Sequence, residues 1–268
     1  MRLRDVILYK VVAISSRLTF KVTSHLWTYN LLKSKSESEL ALVAILCRPN
    51  QIALDIGASR GLYSARMAIW SKEVICFEPH PSSSRLLKET VAKVFPSMTV
   101  HSVALSNQNG LESFKFEFLD PGRSRIIYTD SEKGNFGVRM VPVKTLDIFQ
   151  LGNISLIKID VEGFEFEVLE GALETIKKSR PAIIIEIEER HREGSFGRVR
   201  NFLRELNYTG IYLENGIIST LDNFDLESLQ NATNAPTSRG GYKRESVYIN
   251  NFIFLPEEHN FLSLIYSN

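Results

Sequence analysis

The stretch IALDIGASRG, residues 52–61, decides the fold class and the kind of ligand we expect. Apolar residues surround a single acid, Asp55, and the segment then changes to glycine and small side chains. A buried strand that ends in such a turn is typical of the ligand-binding edge of a parallel sheet. Because a carboxylate at that edge repels phosphate groups, the segment favours a ligand that carries positive charge.

Length and composition indicate one main globular domain. The chain has 268 residues, of which 44% are hydrophobic, enough for one sizeable core. We divide it into a basic helical extension (residues 1–37), the main domain (38–256) and a tail (257–268). A formal net charge of +1 does not favour nucleic acid as a partner. The cysteines, Cys47 and Cys76, have no metal-like or paired spacing, which predicts a reducing, cytoplasmic location.

The N-terminal segment is strongly basic. Residues 1–35 contain seven lysines and arginines but one acid, Asp5. This segment is either a solvated helix packed on the domain or an amphipathic arm that makes weak peripheral contact with anionic lipid. Its apolar run, residues 6–16, is interrupted by Lys10 and is too short to span a bilayer.

Strand-like and helix-like patterns alternate along the main domain. Short apolar runs predict strands, and apolar residues at helical spacing predict helices between them. The predicted strands are residues 52–56, 73–77, 98–104, 111–119, 138–143, 154–161, 182–188, 209–214 and 247–255. The predicted helices are residues 38–47, 62–70, 81–95, 145–149, 165–178 and 195–206. This order predicts an α/β, doubly wound, mostly parallel sheet that binds ligands at the carboxyl ends of its strands.

Two polar segments interrupt this pattern. The strands at 111–119 and 138–143 alternate at period two, so they predict a β excursion from the main sheet. The polar residues 120–137 between them predict a loop beside the pocket, and residues 215–246 are also polar and rich in turn formers. We expect both loops to select the substrate.

Three acids lie at the carboxyl ends of apolar strands, namely Asp55, Glu78 and Asp160. Negative charge gathered at this edge suits S-adenosylmethionine, which has a sulfonium, an amino group and a ribose but no phosphate. We expect Asp55 near the amino group, and Gly57 and Gly61 allow the backbone to approach the cofactor closely. Glu78 follows Asp55 at close to the spacing of about 20 residues at which a strand-two acid bonds ribose hydroxyls.

The main alternative cofactor is NAD. Its binding motif needs three glycines as G-x-G-x-x-G, so that a pyrophosphate can lie against helix N–H groups. Here Gly57 and Gly61 form only G-x-x-x-G, with Asp55 beside them. An NAD-dependent oxidoreductase is therefore disfavoured, but it stays open at this point, as does a non-catalytic nucleotide-binding module.

Several stretches resemble one known family. They are LDIGASRGLYS (54–64), VICFEP (74–79), VALS (103–106), LIKIDVEGFEFEVLEGA (156–172), PAIIIEIE (181–188), EERHREGSF (188–196) and YINNFIFLP (248–256). Over about residues 38–256 the chain resembles the FkbM family of S-adenosylmethionine-dependent methyltransferases. Arg60 stands where that family often has Asn or another small polar residue.

The resemblance implies a class I methyltransferase fold, which is Rossmann-like and has a seven-stranded sheet with its last strand antiparallel. It also implies S-adenosylmethionine as cofactor and O-methylation of a hydroxyl on a sugar, glycan or other natural product. The predicted cofactor-binding residues are Asp55, Gly57, Ala58, Ser59, Gly61, Tyr63, Glu78, Pro79, Ser102 and Ala104.

Methyl transfer to an alcohol requires aligned reactants and a base. Asp160 is the best-placed candidate base, and Glu186 and His191 are further catalytic candidates. The alternatives are structural. Asp160 and Glu162 would cap the following helix, which we expect of Glu162 in particular, and Lys158 would pair with Glu186 across neighbouring strands. We assign no metal, because the spacing of these groups is not diagnostic of a metal site.

Overall fold

The computed structural model describes residues 24, 28–32, 37–117, 124–127, 136–234 and 247–259. Residues 28–32 are helical. Most of the predicted N-terminal extension, most of the predicted 120–137 loop and residues 260–268 of the predicted tail lie outside the described residues.

Two sheets organise the described residues. The strands are β1 (Ile52–Ile56), β2 (Glu73–Phe77), β3 (Met98–His101), β4 (Ala104–Leu105), β5 (Gly110–Glu117), β6 (Arg125–Ile126), β7 (Phe136–Lys144), β8 (Ile154–Ile159), β9 (Ala182–Glu186), β10 (Tyr208–Glu214), β11 (Ile217–Thr220) and β12 (Asn251–Pro256). Over the described part of the chain, the main sheet has eight strands in the order β11-β10-β12-β9-β8-β1-β2-β3. The second sheet has four, in the order β4-β7-β5-β6.

The predicted α/β, doubly wound and mostly parallel sheet is confirmed. Strands β3, β2, β1, β8 and β9 pair in parallel, and β12 is antiparallel to β9 and to β10, as expected of the last strand. The strand count was wrong, because the main sheet has eight described strands rather than seven.

The extra strand, β11, lies in the segment 215–246, which we predicted as a polar, turn-rich loop. Asn215 and Gly216 both have positive φ (50° and 80°) and join β10 to β11 as a two-residue hairpin. An Asn-Gly pair between extended segments is a strong hairpin signal, since both residues adopt the left-handed conformation readily. The strand after this pair is therefore visible in the sequence, although we predicted the whole segment as a loop.

The second sheet is the β excursion predicted between β3 and β8. Strands β5 and β7 form its long antiparallel pair. The strand predicted at 98–104 was wrong in its extent, since it stops at His101, and Ala104 and Leu105 pair with β7 in the second sheet. The chain therefore leaves the main sheet next to the carboxyl end of β3.

The helix predicted at 62–70 is confirmed at both ends, whereas several other predicted helices are shorter or divided. The described α-helices are Val43–Leu46, Leu62–Trp70, Pro81–Glu89, Val91–Val94, Glu165–Glu170, Leu173–Ser179, Ser195–Glu205 and Leu226–Leu229. The described 3-10 helices are Ser38–Ala41, Leu146–Phe149, Leu221–Asn223, Ala232–Asn234 and Glu257–His259. The single helices predicted at 38–47, 81–95 and 165–178 are each divided in two.

Tertiary contacts explain one of these divisions. A Cβ on Gly171 would lie 2.0 Å from the carbonyl oxygen of Ser106, so the backbone of the second sheet's first segment packs directly on this position. The break between Glu165–Glu170 and Leu173–Ser179 thus brings the excursion against the helix that follows β8.

Helices cover both faces of the main sheet. Leu54, Ile157 and Ile185 belong to the core on one face, and Ala53, Leu156 and Ile184 belong to the core on the other. Neighbouring strand residues thus bury opposite faces, as expected for a sheet between two helical layers. Within the described residues, no helix has the length and apolar character needed to cross a membrane.

Candidate active site

Two adjoining cavities lie at the carboxyl ends of β1 and β8. The first has a volume of about 100 Å³ and the second about 300 Å³. Gly57, Ser59 and Asp160 line both of them. One extended ligand can therefore occupy both cavities and pass Asp160 at their junction.

Apolar residues are the majority of those that line the first cavity, which lies between the two sheets. Its apolar wall includes Phe77, Val103, Ala104, Phe114, Ile126 and Phe164. Phe114 and Ile126 come from β5 and β6, so the excursion completes this cavity. An apolar slot with few polar groups is suited to a planar heterocycle.

Glu78 supplies the carboxylate of the first cavity. Its two side-chain oxygens accept hydrogen bonds from the backbone N–H groups of Ser59 and His80, each at 2.7 Å. The residue is only 6% exposed, and burial raises the pKa of its carboxyl to about 7. Each carboxylate oxygen has a second lone pair, so Glu78 can hold the glycine turn and still accept from ligand hydroxyls.

The two glycines of the turn pack closely against neighbouring elements. A Cβ on Gly57 would lie 1.7 Å from the carbonyl oxygen of Asp160, and one on Gly61 would lie 2.5 Å from Leu87 Cδ1. Their φ angles are +79° and +86°, in the left-handed region that favours glycine. These glycines therefore allow β1 to approach β8 and the helix Pro81–Glu89, while Gly57 also lines both cavities, where its contact with a cofactor stays a prediction.

The second cavity combines acids with one buried cation. Asp55 is 2% exposed and accepts a hydrogen bond from the Ser64 hydroxyl, and burial raises the pKa of its carboxyl to about 6. The Tyr63 hydroxyl donates to Glu37 at 2.7 Å, and the Lys158 Nζ lies 5.0 Å from the centre of the Tyr63 ring. Cationic and zwitterionic groups suit such a lining.

A pair of carboxyls lies at the junction of the cavities. Asp160 follows the last residue of β8 and hydrogen bonds through its carboxyl to Glu186, at the end of β9. The Asn250 amide donates to the other side of this pair, at 2.6 Å from Glu186 Oε1. Burial raises the pKa of both carboxyls, and that of Glu186 is well above its ordinary value. The two residues are half-buried, and two carboxyls in contact share a proton because they do not both ionise.

The predicted structural alternatives for this cluster were wrong in detail. Glu162 does not cap the following helix, since Glu165 accepts from the Gly163 N–H at 2.8 Å and Glu162 lies 3.1 Å from His191 Nε2. The Lys158 ammonium donates to Asn251 Oδ1 at 3.0 Å rather than to Glu186.

A model of the methyltransferase FkbM domain matches residues 55–209, which is more than half of the chain. The chain belongs to the FkbM methyltransferase family. The matched range begins at Asp55 and includes Glu78, Asp160, Glu186 and His191. It therefore contains the acids that line the cavities except Glu37, which precedes the matched range.

Two relatives illustrate the similarity. The 2-O-methyltransferase NoeI of Sinorhizobium fredii (strain NBRC 101917 / NGR234) is 28% identical over 157 residues, which cover 52% of this chain and 64% of NoeI. The crystal structure of methyltransferase FkbM from Methylobacillus flagellatus KT has a TM-score of 0.52 and 17% identity. That match covers 81% of this chain and 47% of the other, so it shows the shared fold and no more.

The cavities of this FkbM-family chain include most of the predicted cofactor residues. Pro79 and Ala104 line the first cavity, and Ala58 and Tyr63 line the second. Ser102 lies elsewhere, because it faces a separate groove. There its hydroxyl bonds the Ser84 hydroxyl at 2.6 Å and accepts from the Lys88 ammonium at 2.8 Å.

His191 lines neither cavity, and its Nε2 lies 3.1 Å from the carboxylate of Glu162, which lines neither cavity either. The sequence analysis missed Phe114 and Ile126, since period two marks them as strand residues without showing which cavity they face. It also missed Glu37. Among the described residues, no three His, Cys, Asp or Glu side chains are grouped so that they could hold a metal ion.

Proposed function

We propose that this chain transfers a methyl group from S-adenosylmethionine to a hydroxyl of a sugar, glycan or other natural product. The observation that carries the proposal is the meeting of two cavities at Asp160: the first is lined by Glu78 and a majority of apolar residues, and the second by acids and a buried cation. Family membership and the name of NoeI, a 2-O-methyltransferase, support transfer to oxygen.

The residues present fit S-adenosylmethionine. The apolar slot suits its adenine, and Glu78 is placed at the same cavity to accept from ribose hydroxyls. The second cavity offers Asp55 and Asp160 to its positive groups and Lys158 to its carboxylate. Clustered carboxylates disfavour a pyrophosphate, so NAD fits this site less well.

The chain's own residues account for the remaining chemistry. When bound, S-adenosylmethionine supplies a methyl group activated by a sulfonium. Asp160 lies where the cavities meet, so its carboxylate can accept the proton of an acceptor hydroxyl. A positioned base contributes typically about 10²–10⁴-fold to the rate. Both carboxyls of the pair are half-buried, so a ligand that fills the cavities would displace water beside Asp160 and strengthen its electrostatic interactions.

Calorimetric titration with S-adenosylmethionine and, separately, with NAD tests the cofactor. We expect saturable binding of the first alone. Glu78→Ala removes a charged hydrogen-bond acceptor worth about 1.5–3 kcal/mol and should weaken that binding by roughly 10–100-fold. Glu205→Ala, an exposed glutamate in the last turn of Ser195–Glu205, is the matched control. Binding of NAD in place of S-adenosylmethionine would overturn the proposal.

Transfer of a radiolabelled methyl group to a panel of sugars, glycans and other hydroxyl compounds then tests the reaction. Saturable cofactor binding without transfer to any of them would favour the non-catalytic binding module instead.

We also propose that nucleic acid is not an acceptor and that the basic N-terminal arm makes weak contact with anionic lipid. Inclusion of RNA in the panel tests the first point, and sedimentation with anionic liposomes tests the second.

A further inference from the structure

Asp160 lies between a buried cation and a second carboxyl. Lys158 precedes Asp160 by two residues at the end of β8, so both side chains project to the same face. Lys158 is 1% exposed. Lys158 and Asp160 both line the second cavity, whereas Glu186 lines neither cavity. A ligand in these cavities therefore reaches Asp160 and not Glu186.

Two consecutive asparagines hold the groups on either side of Asp160. The Asn251 side-chain oxygen accepts from the Lys158 ammonium at 3.0 Å, and the Asn250 amide donates to Glu186 at 2.6 Å. Asn251 is also paired with Glu186 in the register of β12 and β9. The start of the antiparallel strand thus fixes both neighbours of Asp160, which gives the YINNF stretch of the sequence a role.

We propose that Asp160 alone is the base, and that Lys158 and Glu186 are positioning residues that set its charge. Lys158 supplies a fixed positive charge that favours the ionised form of Asp160. Glu186 stays neutral and donates a hydrogen bond to it. This inference rests on the proposed function, and it changes Glu186 from a candidate base to a partner of the base.

The electrostatic environment supports this division of roles. Burial raises the pKa of Asp160, and the nearby Lys158 ammonium opposes that rise. Burial and the charge of Asp160 together raise the pKa of Glu186 well above its ordinary value, so Glu186 retains the shared proton. Burial lowers the pKa of Lys158, but the surrounding carboxylates raise it more, so the amine stays charged. The charged and titratable groups around Asp160 are Glu37, Asp55, Glu78, Lys158, Glu162, Glu165, Glu186 and Glu188.

The transfer step balances with Asp160 as proton acceptor. The acceptor oxygen forms a bond to the methyl carbon as the carbon–sulfur bond breaks and its electron pair passes to sulfur. The hydroxyl proton passes to the Asp160 carboxylate. The products are a methyl ether, S-adenosylhomocysteine and a protonated Asp160, which returns its proton to solvent after release.

Carbon-13 NMR titration of aspartate side-chain carboxyls tests the role of Lys158 in the full chain. Asp160→Asn identifies the Asp160 signal. An opposite charge nearby lowers an aspartate pKa by about 1–3 pH units, so Lys158→Met should raise the pKa of Asp160 by that amount. Lys158→Arg keeps the charge and should restore the wild-type value. An unchanged pKa in Lys158→Met would overturn the role of Lys158.

Glu186→Gln supplies a second arm that does not depend on the folding of Lys158→Met. The new amide keeps a hydrogen-bond donor but has no charge, so the pKa of Asp160 should stay near its wild-type value if Glu186 is already neutral. A fall of about 1 pH unit or more would show that Glu186 carries the negative charge and would overturn the assignment. Glu205→Gln is the matched control.

These titrations need neither cofactor nor acceptor. If S-adenosylmethionine fails to bind the wild-type chain, the proposed function falls and the charge arrangement is still measured. If the cofactor binds but either pKa result is contrary, only the assignment of Asp160 as sole base falls.

Discussion

Replacing Gly57 by alanine tests whether this glycine is required by the contact between β1 and β8. A Cβ at this position would lie 1.7 Å from the carbonyl oxygen and 2.8 Å from the carbonyl carbon of Asp160. Non-bonded carbon atoms prefer a separation of about 3.5 Å, so the two strand ends must move apart by roughly 1.5–2 Å. Because Asp160 and Gly57 line both cavities, that displacement would also deform the site.

A second glycine separates the steric cost from the conformational cost. Gly216 has nearly the same φ, +80° against +79° for Gly57, and a Cβ there meets nothing within 4 Å. Gly216→Ala should therefore lower the free energy of unfolding only by the cost of a left-handed alanine, about 1–2 kcal/mol. Gly57→Ala has the same conformational cost and also displaces backbone atoms, so we expect it to lower the free energy of unfolding by more than about 4 kcal/mol in total.

Urea denaturation of both variants gives the difference in unfolding free energy, and calorimetry gives the affinity for S-adenosylmethionine. We expect Gly57→Ala to be less stable than Gly216→Ala by at least about 2 kcal/mol and to bind the cofactor weakly, while Gly216→Ala binds normally. Equal stabilities together with normal binding by Gly57→Ala would refute the packing argument.

Three further perturbations follow from the site. Asp160→Asn should lower turnover by about 10²–10⁴-fold and leave the affinity for S-adenosylmethionine almost unchanged, as rates and calorimetry would show; loss of binding would instead make Asp160 a cofactor ligand. Burial raises the pKa of Glu78 to about 7 and that of Asp55 to about 6, from ordinary values of 4.5 and 3.8, so the folded chain holds protons that the unfolded chain has released. Their contribution to stability is complete below about pH 4 and is lost as the pH rises through about 7, on the order of 3 kcal/mol for Glu78. Thermal melts of the cofactor-free chain should therefore show lower stability at about pH 8 than at about pH 5.5, and the reverse order would contradict this. Ser64→Ala removes the hydroxyl that donates to Asp55, so it should lower the free energy of unfolding, measured by urea denaturation, by about 1–3 kcal/mol. A change near zero would show that water replaces the lost hydroxyl as the donor to Asp55.

The sequence predicted the elements whose apolar pattern is local. The bounds of β1 and β2 agree with the predicted ranges at every residue, because each is a short apolar run between turn formers. Prediction from the sequence failed where contacts between residues far apart along the chain determine the structure. The helix predicted at 165–178 divides at Gly171, where the Ser106 carbonyl packs, and no local pattern reports that approach.

The candidate site shows the same contrast between features that a local sequence pattern reveals and features that depend on distant contacts. Glu78 and Asp160 were identified because an acid at the end of an apolar strand is visible in one sequence. The roles of Lys158 and Asn251 were not, since they depend on β12 lying beside β9 in the folded sheet. Pairing between strands so far apart along the chain is set by the whole sheet and not by any single segment.

The central position of β12 determines when the sheet can be completed. During synthesis, β9 and β10 leave the ribosome well before residues 251–256, and both must wait with an unpaired edge for the strand that joins them. Unpaired apolar edges promote aggregation, so this interval is the vulnerable stage of folding. A premature stop codon or proteolytic cut just before β12 would therefore disconnect β10 and β11 from the rest of the sheet, rather than trim an end of the protein.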